Sequence, residues 1–294
     1  MIYGVKRVIT YLLGTDIAGR SLAVYPDDTF IVSYPRSGNT WTRFLVANLM
    51  HPEQLVTFAN IERMIPDCEA QSSRYMKRVP RPRLIKSHEY FDPRYRKVLY
   101  IVRDPRDVAL SYYDFARKYR QIDDSYSLTS YVSDFVGGRL SSADWGTWGE
   151  NVASWVYTRN GQPGFLLLRY EDMLSDTERE LAKVAGFLAA ESDARRLTEA
   201  AERSSADRMR SLEATQGDQW VATKNKRSDI PFVRTAAAGL WKTKLPADSI
   251  LEIESAWGPL MKNLGYGLAN NGSASSPDGS GITDGRVQLV REHI

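Results

Sequence analysis

The sequence has little of what would indicate a secreted, membrane-bound or metal-dependent protein. It contains one cysteine, Cys68, among 294 residues, which excludes an internal disulfide and a cysteine-rich metal site. The apolar run at 8–13 is far shorter than the roughly 20 residues that a membrane-spanning helix needs, and no convincing cleavage site follows it. The net charge of +3 gives no case for a nucleic-acid partner. These absences predict a cytoplasmic protein without a membrane span, with a short amphipathic helix over residues 1–13.

Apolar runs of strand length alternate with helical patterns along the chain. Strands are predicted at 29–34, 83–88, 97–103 and 164–170. Helices are predicted at 41–50, 104–115, 177–188, 199–213 and 249–264. This alternation predicts a single α/β domain with a central parallel sheet flanked by helices. We expect a lead-in over 1–27, the domain over 28–267, and a disordered tail rich in Gly and Ser over 268–294.

The segment YPRSGNTW, residues 34–41, joins the first predicted strand to the first helix. Free backbone N–H groups and the helix dipole at such a junction favour a phosphate. Gly38 lets the backbone approach a ligand closely, and Arg36 supplies a fixed positive charge. The terminal Gly-Lys pair of a Walker A loop is missing. Taken alone, this segment favours an anion-binding loop and an ordinary strand-to-helix turn about equally.

The same segment resembles the 5′-phosphosulfate loop, YPKSGTTW, of the sulfotransferases that use 3′-phosphoadenosine-5′-phosphosulfate (PAPS), with Arg36 and Asn39 as the differences. Residues 103–113, RDPRDVALSYY, are similar to that family's 3′-phosphate motif RxxxDxxxSxY. Residues 234–242, RTAAAGLWK, resemble its C-terminal motif RKGxxGxWK, although Thr and Ala replace the usual Lys and Gly. The order and spacing of these motifs indicate a member of this family.

The resemblance implies a sulfotransferase fold like that of the P-loop NTPases. It also implies an enzyme that transfers a sulfuryl group from PAPS to a hydroxyl without a metal ion. The family's donor-binding positions fall on Arg36, Ser37, Gly38, Asn39, Thr40, Trp41, Arg103, Ser111, Tyr170, Arg234 and Gly239. Because Thr235 and Ala236 replace Lys and Gly, one contact to the 3′-phosphate is expected to be missing.

Transfer to a hydroxyl needs a base, and the chain has three histidines. His293 lies in the expected tail, and His51 follows the first predicted helix. His88 ends a predicted strand, where ligands collect in open α/β sheets. The family motif KTH places a catalytic histidine at His88 and a lysine that stabilises the transition state at Lys86. We therefore expect His88, Lys86 and Arg36 to be catalytic.

Other functions remain open at this stage, namely a kinase-like NTPase, a non-catalytic nucleotide-binding module and a carbohydrate sulfotransferase. A small organic or natural-product hydroxyl is the favoured acceptor, and an amine is not excluded. Residues 146–155 resemble a family segment beside the acceptor pocket, with Asn151 where a histidine often stands. Aromatic residues that could line this pocket are Tyr112, Tyr113 and Trp145. Pro246 stands at the Thr position of the family's dimer motif, so the oligomeric state stays open.

Overall fold

The computed structural model of the protein describes residues 16–220 and 222–269. The expected N-terminal helix over 1–13 and almost all of the expected tail lie outside these residues. Within them, no helix is long and apolar enough to cross a membrane.

The centre of the described fold is a four-stranded parallel sheet in the order β2-β1-β3-β4. Its strands are β1 (Thr29–Ser33), β2 (Leu84–Ser87), β3 (Lys97–Val102) and β4 (Phe165–Arg169). Val32 pairs with Ser87 on one side and with Tyr100 on the other, so the strands end at nearly the same level. This register brings the residues that follow β1, β2 and β3 to one edge of the sheet.

Helices cover both faces of the sheet. They are α1 (Asn39–Met50), α2 (Ile61–Met64), α3 (Ser73–Met76), α4 (Pro105–Lys118), α5 (Leu128–Val136), α6 (Trp148–Arg159), α7 (Tyr170–Ser175), α8 (Thr177–Leu188), α9 (Ala194–Arg203), α10 (Ala206–Gln216), α11 (Trp241–Lys244) and α12 (Ala247–Asn263). The prediction of a single helix over 199–213 is wrong, because one helix ends at Arg203 and another begins at Ala206. Ser205 then caps α10 by accepting a hydrogen bond from the N–H of Arg208.

The core consists of two apolar layers, one on each face of the sheet. Phe30 and Val32 of β1 face the layer that contains Trp148 and Trp155 of α6, whereas Ile31 faces the layer of α1 and α8. This alternation follows from the two-residue period of a strand. The structure confirms the predicted α/β domain with a parallel sheet flanked by helices.

Candidate active site

The loop between β1 and α1 forms a backbone cradle at the C-terminal edge of the sheet. Gly38 caps α1 with φ of 100° and no side-chain hydrogen bond, so the first N–H groups of the helix have no partner within it. A Cβ at this position would lie 2.5 Å from Cδ2 of Tyr170, which only glycine avoids. The Ser37 hydroxyl is buried and has no hydrogen-bond partner among the described residues. Unpartnered N–H groups and a buried unpartnered hydroxyl are features that favour an anion-binding loop over an ordinary turn.

The three residues that begin α1 differ in what their side chains do. The Asn39 amide donates to the carbonyl of Ile31 at 3.1 Å and to the hydroxyl of Ser33 at 3.3 Å, which ties the loop to β1. Thr40 lines the adjoining cavity. The Trp41 indole donates to the carbonyl of Ser204 at 3.0 Å. All three residues line the adjoining cavity, although the Asn39 amide and the Trp41 indole already donate to backbone carbonyls.

Three arginines from distant parts of the sequence converge beside this loop. Nε of Arg36 donates to the Ser111 hydroxyl at 3.2 Å, and Arg103 donates to the carbonyl of Arg36 at 3.2 Å. Burial, followed by the positive charges of Arg234 and Arg103, lowers the pKa of Arg36 to about 10. Among the described residues, only Arg234 of the three has a carboxylate partner, Asp114 at 2.7 Å. Because these positive charges repel one another, the cluster favours the binding of an anion.

Asp107 joins the second sequence motif to the third. Its carboxylate accepts the backbone N–H of Gly239 at 2.6 Å and of Trp241 at 3.0 Å. Gly239 has φ of 78°, in the left-handed region where glycine is favoured. Arg103 donates to the carbonyl of Ala237 at 3.2 Å and makes no ion pair with Asp107 within the described ranges. Arg103 and Asp107 of the sequence motif therefore do not pair with each other, and each binds a different part of the backbone at 237–241.

His88 is held in the tautomer of a base. Its Nδ1 lies 2.7 Å from the carbonyl oxygen of Ser33, and because a carbonyl cannot donate, Nδ1 carries the proton. Nε2 therefore keeps its lone pair. Burial, followed by the charge of Lys86, lowers the pKa of His88 to about 3, so the ring is neutral near pH 7. The buried Asn151 amide donates to the backbone carbonyls of His88 and Trp145, each at 3.0 Å, and so holds the backbone at His88 in place.

Lys86 lies at the same edge, between two acids that the sequence did not indicate. Its Nζ is 3.0 Å from the Asp67 carboxylate and 2.7 Å from that of Glu69. Burial alone would lower the pKa of Lys86, but the two carboxylates raise it above its ordinary value. Glu69 also accepts the backbone N–H of His88. Lys86 is therefore a charged and firmly held group.

One cavity of about 690 Å³ connects the loop, the three arginines, Lys86 and His88. Part of its wall is aromatic, formed by Tyr112, Phe115, Tyr119, Trp145, Trp220 and Phe232. Tyr112 and Trp145 thus lie where an acceptor pocket was expected. Tyr113 does not line the cavity, and its hydroxyl donates to the carbonyl of Tyr126 at 2.7 Å. Residues 16–220 and 222–269 contain no group of three His, Cys, Asp or Glu side chains that could hold a metal ion.

Comparison with known proteins agrees with the motifs. The family model described as the sulfotransferase domain matches residues 26–265. Sulfotransferase 1C2 of Rattus norvegicus is 29% identical over 238 residues, which cover 74% of this chain and 77% of the relative. Sulfotransferase 1C2 of Oryctolagus cuniculus is 27% identical over 244 residues, covering 76% of this chain and 79% of the relative.

Solved structures share the fold at low sequence identity. Mouse sulfotransferase SULT7A1, complexed with PAP, has a TM-score of 0.67 at 22% identity, and the match covers 84% of this chain and 87% of the mouse protein. Retinol dehydratase, in complex with androsterone and the inactive cofactor PAP, has a TM-score of 0.68 at 20% identity, with 84% of both chains covered. Because the family match spans most of the chain, this protein belongs to the PAPS-dependent sulfotransferase family and is a sulfotransferase.

Proposed function

We propose that this enzyme transfers the sulfuryl group of PAPS to a hydroxyl of a small organic acceptor, with His88 as the general base. The observation that carries the proposal is the 2.7 Å contact between Nδ1 of His88 and the Ser33 carbonyl, which leaves Nε2 free to take a proton. His88 and the arginine cluster line the same cavity, so base and anion site are within one chamber.

The residues present fit the two charged ends of PAPS. The orphaned hydroxyl of Ser37 and the glycine cradle at Gly38 suit the 5′-phosphosulfate. Arg103, Ser111 and Arg234 suit the 3′-phosphate, because arginine binds phosphate through charge-assisted hydrogen bonds. Mouse SULT7A1 and retinol dehydratase, whose fold this chain shares, both bind PAP, which is 3′-phosphoadenosine-5′-phosphate. This nucleotide is what remains of PAPS after sulfuryl transfer, and its presence supports PAPS as the donor.

Two aromatic side chains suit the purine of the donor. Trp41 and Tyr170 pack edge to face at 5.7 Å between ring centroids, and both line the cavity. The Arg103 guanidinium lies 4.4 Å from the centroid of the Tyr170 ring, which fixes the ring beside the proposed phosphate site.

The residues of this chain supply positioning, charge and one proton acceptor. PAPS supplies the sulfuryl group. Nε2 of His88 accepts the proton of the acceptor hydroxyl, and Arg36 and Lys86 stabilise the negative charge that develops on the leaving phosphate. The pKa of His88 rises when negative charge enters the cavity, because an anion favours the imidazolium form. A base that is weak in the protein alone is thereby strengthened when the donor binds.

The aromatic wall favours a small, largely apolar acceptor. Retinol dehydratase, which shares the fold, has been crystallised with retinol and with androsterone, both largely apolar molecules with a hydroxyl group. We also infer that residues 28–267 form the catalytic domain and that the enzyme acts in the cytoplasm, where the buried free thiol of Cys68 stays reduced.

Purified enzyme with sulfur-radiolabelled PAPS should be tested against alkyl alcohols, phenols, oligosaccharides and amines of similar size. The expected result is label on low-molecular-weight hydroxyl compounds. Adenosine-5′-phosphosulfate, which lacks the 3′-phosphate, is the control donor and is expected to react poorly. Label found only on oligosaccharides or only on amines would contradict the proposed acceptor class.

A further inference from the structure

The carboxylates of Asp67 and Glu69 contact the proposed catalytic residues, but the proposed reaction assigns them no role. Asp67 and Glu69 lie in the segment between α2 and α3, and both line the cavity. Their side chains are only 18% and 15% exposed, so they are not ordinary surface acids. Removing them from water is unfavourable unless they are paired.

Glu69 binds three consecutive residues at the end of β2. One of its oxygens accepts from Nζ of Lys86 at 2.7 Å. The other accepts from the Ser87 hydroxyl at 3.4 Å and from the backbone N–H of His88. A single carboxylate therefore contacts both the side chain of Lys86 and the backbone of His88.

Asp67 completes the arrangement from the other side. It lies 3.0 Å from Nζ of Lys86, and its backbone forms an isolated parallel bridge with the same residue. It also accepts the backbone N–H of Glu69 at 2.9 Å, which orders the short turn between the two acids. An ammonium group has three N–H donors, so two carboxylates leave one donor for the cavity.

We propose that Asp67 and Glu69 form a carboxylate clamp, in which they are positioning residues that orient Lys86 and His88 for sulfuryl transfer. This inference rests on the proposed function of His88 and Lys86. The clamp holds the Lys86 ammonium in one position and leaves its third N–H available to the cavity. Without the two carboxylates, the flexible lysine side chain would adopt several positions. A displacement of about 1 Å at a reacting centre can cost about 100-fold in rate, which is the scale of effect expected here.

The clamp also sets the charge around the base. The charged groups that face His88 are Lys86 and Arg36, which lower its pKa, and Asp67, which raises it, while Glu69 holds its backbone N–H. Neutralising Asp67 therefore lowers the pKa of His88 further and weakens the base. A clamp that only stabilised the fold would lower the melting temperature of these variants but leave the kcat of the folded enzyme unchanged.

A different role for Lys86 predicts the opposite change in turnover. If Lys86 acts by leaving the acids to meet the transferred group, then the acids hold it back, and neutralising either one should raise turnover. If the clamp positions Lys86, the same change should lower turnover. The direction of the change therefore separates the two explanations.

The test compares Asp67→Asn, Glu69→Gln and the charge-retaining Glu69→Asp in the full-length enzyme. The clamp predicts that kcat falls about 10- to 100-fold in the two neutral variants, while PAP binding and the donor KM change less than about twofold. Glu69→Asp should recover part of the loss, and Asp67→Asn should shift the acidic limb of the rate profile to lower pH. The control is Glu180→Gln, which removes a buried carboxylate that pairs with Arg179 and Lys183 and does not itself line the cavity.

The clamp is refuted if both neutral variants bind PAP normally and keep or raise their turnover. His88→Ala, measured in parallel, separates this failure from failure of the proposed function. An inactive His88→Ala enzyme beside fully active clamp variants rejects the clamp alone. An active His88→Ala enzyme rejects the base. Should Glu69→Gln fail to fold, Asp67→Asn carries the test, because Glu69 then still binds the backbone of His88.

Discussion

Replacing Arg234 with Met should weaken binding of the 3′-phosphate specifically, and the structure gives the scale. Loss of one charge-assisted hydrogen bond costs about 2 kcal/mol, or roughly 30-fold in affinity. The change also removes the ion pair with Asp114, whose two side chains are 22% and 29% exposed. Because such partly exposed pairs contribute only about 0 to 1 kcal/mol, the free energy of unfolding should fall by less than about 1 kcal/mol. Relief of repulsion on Arg36 offsets part of even that loss.

Titration calorimetry with two nucleotides isolates the effect. PAP carries the 3′-phosphate and AMP lacks it, so Arg234→Met should lose about 30-fold in affinity for PAP and little for AMP. The matched control is Arg117→Met, which also removes a partner of Asp114 but does not line the cavity. An equal loss for both nucleotides, or no loss for either, would refute the assignment of Arg234 to the 3′-phosphate.

Three further predictions use the same site. Gly38→Ala forces a Cβ onto Tyr170 at φ of 100°, so it should destabilise the fold by about 2 kcal/mol and weaken PAP binding; normal melting and normal binding would count against the cradle. Thr235→Lys restores the residue usual in the family and should tighten PAP binding by roughly tenfold in the same calorimetric assay; unchanged affinity would contradict the missing contact. The pKa of His88 is about 3 in the folded chain but about 6.5 when unfolded, so the unfolded chain binds the extra proton between these values and stability falls as pH drops from 6.5 to 3. His88→Gln should flatten this fall in urea unfolding, with His51→Gln as the control, and an unaltered slope would contradict the burial of a neutral ring.

The parts of the site that sequence predicted are those written in contiguous motifs. The loop around Gly38, the strand that ends before His88 and the helix that carries Ser111 each follow from a local pattern of apolar, polar and glycine residues. The parallel register then brings Ser33 and His88 together, as expected for residues that end neighbouring strands.

The clamp could not be predicted, because its contacts follow no short-range pattern. Glu69 lies 17 residues from Lys86 in sequence, within a segment that contains only short helices and turns. Asn151 was expected beside the acceptor, but its amide fixes the carbonyl of His88 from within the core. Tyr113 was a candidate for the pocket wall, although the helical period places it on a different side of α4 from Tyr112. The contacts of Glu69 and Asn151 depend on tertiary packing, which a single sequence does not display.

The central claim is that His88 removes the proton of the acceptor hydroxyl, and the turnover of His88→Ala on an alkyl alcohol tests it most directly. An alcohol is required because a nitrophenol ionises unaided and hardly needs a base. The rate should fall about 10²- to 10⁴-fold and lose its acidic limb, while PAP binding and folding are retained. A folded, PAP-binding His88→Ala enzyme with near wild-type turnover and an unchanged pH profile would contradict the claim.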